Sequence, residues 1–214
     1  GSLLVACGSN SSKSSSSDSK TLKLWVPTGA KKSYSDTVAQ FEKKSGYKVD
    51  MVEMEDPNAQ ENLTKDASTA ADVFSLPHDQ LGKLVDAGAI QEIPEQYSKE
   101  IAEQDTEQAA VGAQYKGKTY AFPYGIETQV TYYNKSKLNE EDVKSYETIT
   151  SKAKFGSNLK EVNAYVTAPL FLSVGDTLFG PNGEDVNGTN WGNEAGVNVL
   201  KFIAAQKDNK GFVN

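Results

Sequence analysis

Thr21-Leu22-Lys23-Leu24-Trp25-Val26 puts Leu22, Leu24 and Val26 on one face and predicts a β-strand, because its apolar side chains repeat with a period of two. The next apolar residues, Tyr34, Val38 and Phe41, fall at i, i+4 and i+7 and predict a helix, with Asp36 early in it. Gly46 stands where the chain needs a positive φ to leave that helix. Tyr47, Val49 and Met51 alternate as a second strand, Asp56-Pro57 interrupts, and a helix is expected over residues 58–68. A strand over 72–76 follows, then a short helix after Pro77 that carries Leu81, Leu84 and Val85 and stops at Gly88. Strand and helix thus alternate three times with short links, which calls for a parallel sheet with helices on its faces, an α/β fold.

Farther along, residues 95–111 are polar and sparsely apolar, a surface helix or loop. Tyr115-Lys116-Gly117-Lys118-Thr119-Tyr120 has glycine at a tight turn between two aromatic-bearing arms, the pattern of a small hairpin. The run from Ala121 to Tyr133 is strand-like but holds Pro123 and Gly125, which argues against one central strand and places a crossover between two lobes here. A second lobe is expected to open with residues 129–134, a helical part over 143–155 and an apolar helix over 169–174. Pro181-Asn182-Gly183 and Asn187-Gly188 read as hairpin turns, and residues 193–205 as a helix with Asn193 as its N-cap. The expected division is a first lobe over 21–124, a hinge over 125–128 and a second lobe over 129–214.

The chain has 214 residues, 24% charged and 37% hydrophobic, a composition that excludes collagen-like, coiled-coil and multi-span membrane architectures. Its net charge of -7 and the lack of a basic stripe argue against nucleic acid as a partner. One cysteine and one histidine cannot form an internal disulfide or a Cys/His zinc site, and the oxygen-rich stretch 182–190 lacks the spacing of a calcium loop. No metal or other cofactor is expected. Leu4-Val5-Ala6-Cys7 resembles a bacterial lipobox, so residues 1–6 read as a signal-peptide remnant and Cys7 as the lipidated residue. The plain alternative is a free or buried cysteine at a frayed terminus. Residues 7–20 then form a serine-rich linker too polar to fold, a tether to the membrane through the Cys7 lipid. At the other end the chain stops after Lys210-Gly211-Phe212-Val213-Asn214 with no closing element, which suggests an N-terminal fragment.

Five segments in order resemble the maltose/maltodextrin-binding proteins among the extracellular solute-binding proteins of ABC transporters. They are Leu22-Lys23-Leu24-Trp25, the stretch from Phe41 to Val49, Ala71-Asp72-Val73-Phe74-Ser75-Leu76-Pro77-His78-Asp79, the stretch from Tyr115 to Pro123, and Glu127 to Leu138. The resemblance implies a type II periplasmic-binding-protein-like fold: two α/β lobes joined by a hinge, both incomplete here, with a sugar held in the cleft between them. It implies a non-enzymatic monomer on the extracellular face of the bacterial cell membrane, which closes on a malto-oligosaccharide and delivers it to ABC transporter permease subunits.

A sugar ring offers apolar C–H faces and a rim of hydroxyls, so its site needs aromatic planes with carboxylates or amides around them. By resemblance, Asp79 accepts sugar hydroxyls from the first lobe, Glu127 sits at the cleft floor and Tyr165 stacks from the second lobe. Lys32 and Tyr34 are further candidates, and Asn163 stands where the family carries a glutamate. Leu76 and Val166 replace family aromatics, and Gln80 replaces an arginine. Plainer roles stand beside these. Asp79 can cap the helix that follows it, Tyr165 can be a core residue, and Trp25 reads as core rather than platform. Glu127 lies in an apolar run where an unpaired buried carboxylate would need a ligand or a cation. Another oligosaccharide, a glycoside hydrolase built on Asp79 and Glu127, and a ligand-free surface lipoprotein are the alternative functions.

Overall fold

The computed structural model describes residues 20–161 and 163–214, so the expected signal remnant, the lipid-accepting Cys7 and the linker through Ser19 lie outside the described residues. The chain forms two compact units, divided between Glu92 and Ile93.

The first unit is built on three parallel strands, β1 (Thr21–Val26), β2 (Lys48–Glu53) and β3 (Val73–Phe74), in the order β2-β1-β3. All of β1 is in register with β2, from Thr21 opposite Lys48 to Val26 opposite Glu53. Asp72 joins β3 to β1 through its N–H, which donates to Lys23 O at 2.9 Å, and its carboxylate, which accepts from Lys23 N at 2.8 Å. The helix α1 (Lys31–Ser45) links β1 to β2 and ends at Gly46, whose φ of 76° lets its N–H reach Glu42 O. The helices α2 (Ala59–Lys65) and α3 (Leu81–Asp86) flank β3 in the chain. The chain leaves β1 toward one edge of the sheet and returns to the other, so right-handed crossovers put α1 and α2 on opposite faces.

The core lies on the Trp25 side. Trp25, Ala59, Leu63, Ala71 and Leu84 are buried together, with Met54, Phe74, Leu76 and Ile90 packed against them. Leu84 is fully buried, and the Trp25 and Phe74 rings meet at 6.0 Å. Burial of a leucine side chain stabilises by about 1.5–3 kcal/mol. The α1 face is thinner: Tyr34 and Val38 are half-buried and no residue of α1 is buried. Apolar spacing thus gives this helix a half-buried face and no fully buried side chain.

The regular structure of the second unit is chiefly helical: α4 (Glu95–Gln104), α5 (Glu107–Gly112), α6 (Tyr146–Lys152), α7 (Ala164–Ser173) and α8 (Glu194–Ala205). Side-chain caps start several of them. Thr106, Ser145, Asn163 and Asn193 accept from backbone N–H groups of α5, α6, α7 and α8. The polar stretch 95–111 is therefore two helices rather than a loop. The expected hairpin is present as antiparallel β4 (Gln114–Tyr115) and β5 (Lys118–Thr119), turned by Lys116 and Gly117 with φ of 50° and 76°. The last strands, β6 (Phe155–Gly156) and β7 (Phe212–Val213), pair in parallel, so the C-terminal segment does enter a ladder.

Three local expectations are corrected. Residues 121–134 contain no strand, because their alternating side chains have no neighbouring strand to pair with among the described residues. The turns at 180–183 and 185–188 form, with Gly183 N on Gly180 O and Gly188 N on Asp185 O, but they lie within a loop closed by backbone and side-chain bonds and not between strands. The apolar helix begins at Ala164, not Pro169, because Asn163 caps it and the proline lies inside.

Candidate functional site

In a parallel sheet of order β2-β1-β3, ligands bind outside the carboxyl ends of the strands where the chain direction switches, here beside β1 and β3. Both sets of predicted residues in the first unit follow those ends. The turn after β1 leads to Lys32 and Tyr34 in the opening turns of α1, and the segment after β3 leads to a short 3-10 turn, His78–Gln80, that carries Asp79. This edge is braced by bonds between its own loops. Gly29 N donates to Glu53 Oε1 at 3.1 Å, Ser75 Oγ to Asp56 Oδ1 at 2.7 Å, and Gln80 Nε2 to Pro57 O at 2.9 Å.

Asp79 and Lys32 are exposed and their side chains have no hydrogen-bond or ion-pair partner among the described residues, while Tyr34 is half-buried. The capping role open to Asp79 is not the one it takes: Pro77 and Gln80 occupy the N-cap positions and neither turn has a side-chain cap. Trp25 is core, at 6% exposure, and Leu76 packs against that core. Gln80 has its Oε1 buried without a partner, an orphaned acceptor next to Asp79.

In the second unit Glu127 is exposed, so water solvates its carboxylate and the desolvation argument for a ligand or cation does not apply. Tyr165, on the first turn of α7, is 63% exposed and is not a core tyrosine. Asn163 caps that turn by accepting from Tyr165 N at 2.9 Å, and its amide N–H groups have no partner among the described residues. Two residues beyond Glu127, Gln129 donates from its side chain to the backbone carbonyl of Tyr165. The structure thus joins Asn163 and Tyr165 at the start of α7 and ties to them, through Gln129, the chain segment that carries Glu127, a link that sequence reasoning missed. Pro169, four residues after Tyr165, was the signal that this carbonyl needs an outside donor.

A depression of about 380 Å³ elsewhere in this unit contains none of these residues. Its polar groups satisfy one another, Tyr146 Oη donating to Gln206 Oε1 at 2.6 Å and Asn209 Nδ2 to the same oxygen at 3.1 Å, and burial raises the Tyr146 phenol above its ordinary range. That network is structural. Among the described residues no cluster of three or more His, Cys, Asp or Glu could hold a metal ion, and no helix is long and apolar enough to cross a membrane.

Residues 36–214 match the family model described as bacterial extracellular solute-binding protein. A maltooligosaccharide ABC transporter solute-binding lipoprotein of Streptococcus pneumoniae is 30% identical over 93% of this chain and 51% of its own length. A galactooligosaccharide-binding protein of Bacillus subtilis is 33% identical over 65% of this chain and 34% of its own. Among solved structures, a maltodextrin-binding protein of L. casei BL23 without ligand is 36% identical with a TM-score of 0.79, over 91% of this chain and 52% of that one. The chain spans about half the length of the first two curated relatives it matches over nearly its whole extent.

Proposed function

Because the chain belongs to the bacterial extracellular solute-binding proteins and has their type II periplasmic-binding-protein fold, we propose that it captures a malto-oligosaccharide for an ABC importer. Capture makes and breaks no bond. The observation that carries this reading is the joining of an exposed aromatic plane, Tyr165, to the segment of the exposed carboxylate Glu127 through the Gln129 bond. A tyrosine face suits the C–H face of a pyranose, and a free carboxylate accepts hydroxyl hydrogen bonds roughly twice as strong as neutral ones. Asn163 offers its amide N–H groups to the sugar rim, and in the first unit Asp79, Lys32 and Tyr34, which follow the carboxyl ends of β3 and β1, supply further polar contacts.

In this reading Cys7 carries the lipid that holds the protein on the extracellular face of the cell membrane, and the sugar passes to permease subunits. The galactooligosaccharide-binding relative favours one second reading, a galacto-oligosaccharide as the ligand. Calorimetric titration of the protein with maltotriose and with a galacto-oligosaccharide decides between them. Heat with maltotriose and no release of reducing sugar is expected. Heat with the galacto-oligosaccharide alone would replace the ligand, and silence with both would reject sugar capture.

A further inference from the structure

Pro169 lies inside α7 and has no N–H, so the carbonyl four residues before it, that of Tyr165, lacks the helical donor that any other residue type would give. Gln129, 36 residues earlier in the chain, donates its side-chain amide to that carbonyl. The N–H of Tyr165 is bonded as well, to Asn163 Oδ1 at 2.9 Å. Both backbone polar groups of Tyr165 are therefore held by side chains, one from the cap of its own helix and one from a segment with no ladder of its own. Its ring meanwhile stays 63% exposed.

We propose that Gln129 is a positioning residue for the stacking ring of Tyr165, replacing the donor that Pro169 removes. The proposal rests on the sugar-capture reading. An aromatic plane on a fixed backbone loses less freedom when a ligand stacks on it, so the bond raises affinity without touching the sugar. The same bond fixes the chain two residues from Glu127, so ring and carboxylate are set relative to each other by one contact. A glutamine that only stabilised the fold would do neither.

The test is a double-mutant cycle, with maltotriose titrated into wild type, Gln129→Leu, Pro169→Ala and the double variant. Gln129→Leu is expected to weaken binding about tenfold, the effect of losing one hydrogen bond of roughly 1.4 kcal/mol. In the Pro169→Ala background the same change is expected to weaken binding less than about twofold, because the N–H restored at position 169 takes the Tyr165 carbonyl. An equal loss in both backgrounds, or no loss in the wild-type background, overturns the proposal. Urea unfolding of the same four proteins reads the bond without sugar: the midpoint drop caused by Gln129→Leu shrinks when Pro169 is replaced. A wild type that binds no sugar overturns the sugar-capture reading and the positioning role with it, whereas a wild type that binds maltotriose while neither cycle couples overturns the role of Gln129 alone.

Discussion

Two stretches with the same period-two pattern end differently. In β1 the alternation of Leu22, Leu24 and Val26 is matched by a neighbour on each side, and Trp25 between them reaches the buried core. In residues 121–134 the series Phe122, Tyr124, Ile126, Val130 and Tyr132 alternates as well, yet all five are exposed, Tyr132 at 93%, and no strand forms among them. Alternation fixes which side chains share a face, but a strand needs a partner for its backbone groups. Packing and exposure, not pattern, therefore separate the two regions, and their responses to substitution should differ in the same way.

The largest response is expected in the packed region. Leu84→Ala removes a fully buried side chain from the Trp25 cluster and should destabilise the chain by about 3 kcal/mol in urea unfolding. A loss as small as that of a surface change would mean that the cluster is not a core. Asn193→Ala should cost about 2 kcal/mol, because Asn193 both caps α8 through Gly196 N at 2.8 Å and donates at 2.6 Å to Asp176, which is 5% exposed. Gly46→Ala should cost about 1 kcal/mol through its φ of 76° alone, since no atom would meet the added methyl group within 4 Å.

A pH-dependent contrast comes next. The Lys152 ammonium 2.5 Å from Asp142, and then the Asn139 N–H, hold the Asp142 carboxyl below its ordinary value of 3.8. A depressed folded pKa gives stability that is fully present above the unfolded pKa and is lost as pH falls through the folded one. Wild type should therefore outlast Lys152→Met in urea at neutral pH, and the gap should close in strong acid. The smallest response is expected in the exposed run, where Tyr132→Ser should change stability by less than about 0.5 kcal/mol. A larger effect would show that this stretch is packed after all and would erase the contrast with β1.

Much of the first unit was legible because its signals are local. The strand Thr21–Val26, the helix stop at Gly46 and the short helix after Pro77 each follow from alternation, a positive φ or proline chemistry. The pairing of Phe155–Gly156 with Phe212–Val213 was not, since nothing local marks two short strands more than fifty residues apart. Pro169 misled by looking like a helix start, and the reason lies in Asn163 and Gln129, which make a helix through it tolerable. The residue types suited to a sugar were legible from chemistry and resemblance. That Asp79 and Glu127 are free and Tyr165 is exposed required coordinates, because exposure depends on which elements pack together.

Maltotriose affinity of Glu127→Ala and Tyr165→Ala beside wild type, measured by titration calorimetry, tests the proposed sugar site most directly. Each variant should bind at least about tenfold more weakly, as expected when a charged hydrogen-bond acceptor or a stacking plane is lost. Affinities equal to wild type in both would contradict the assignment of these residues to the sugar.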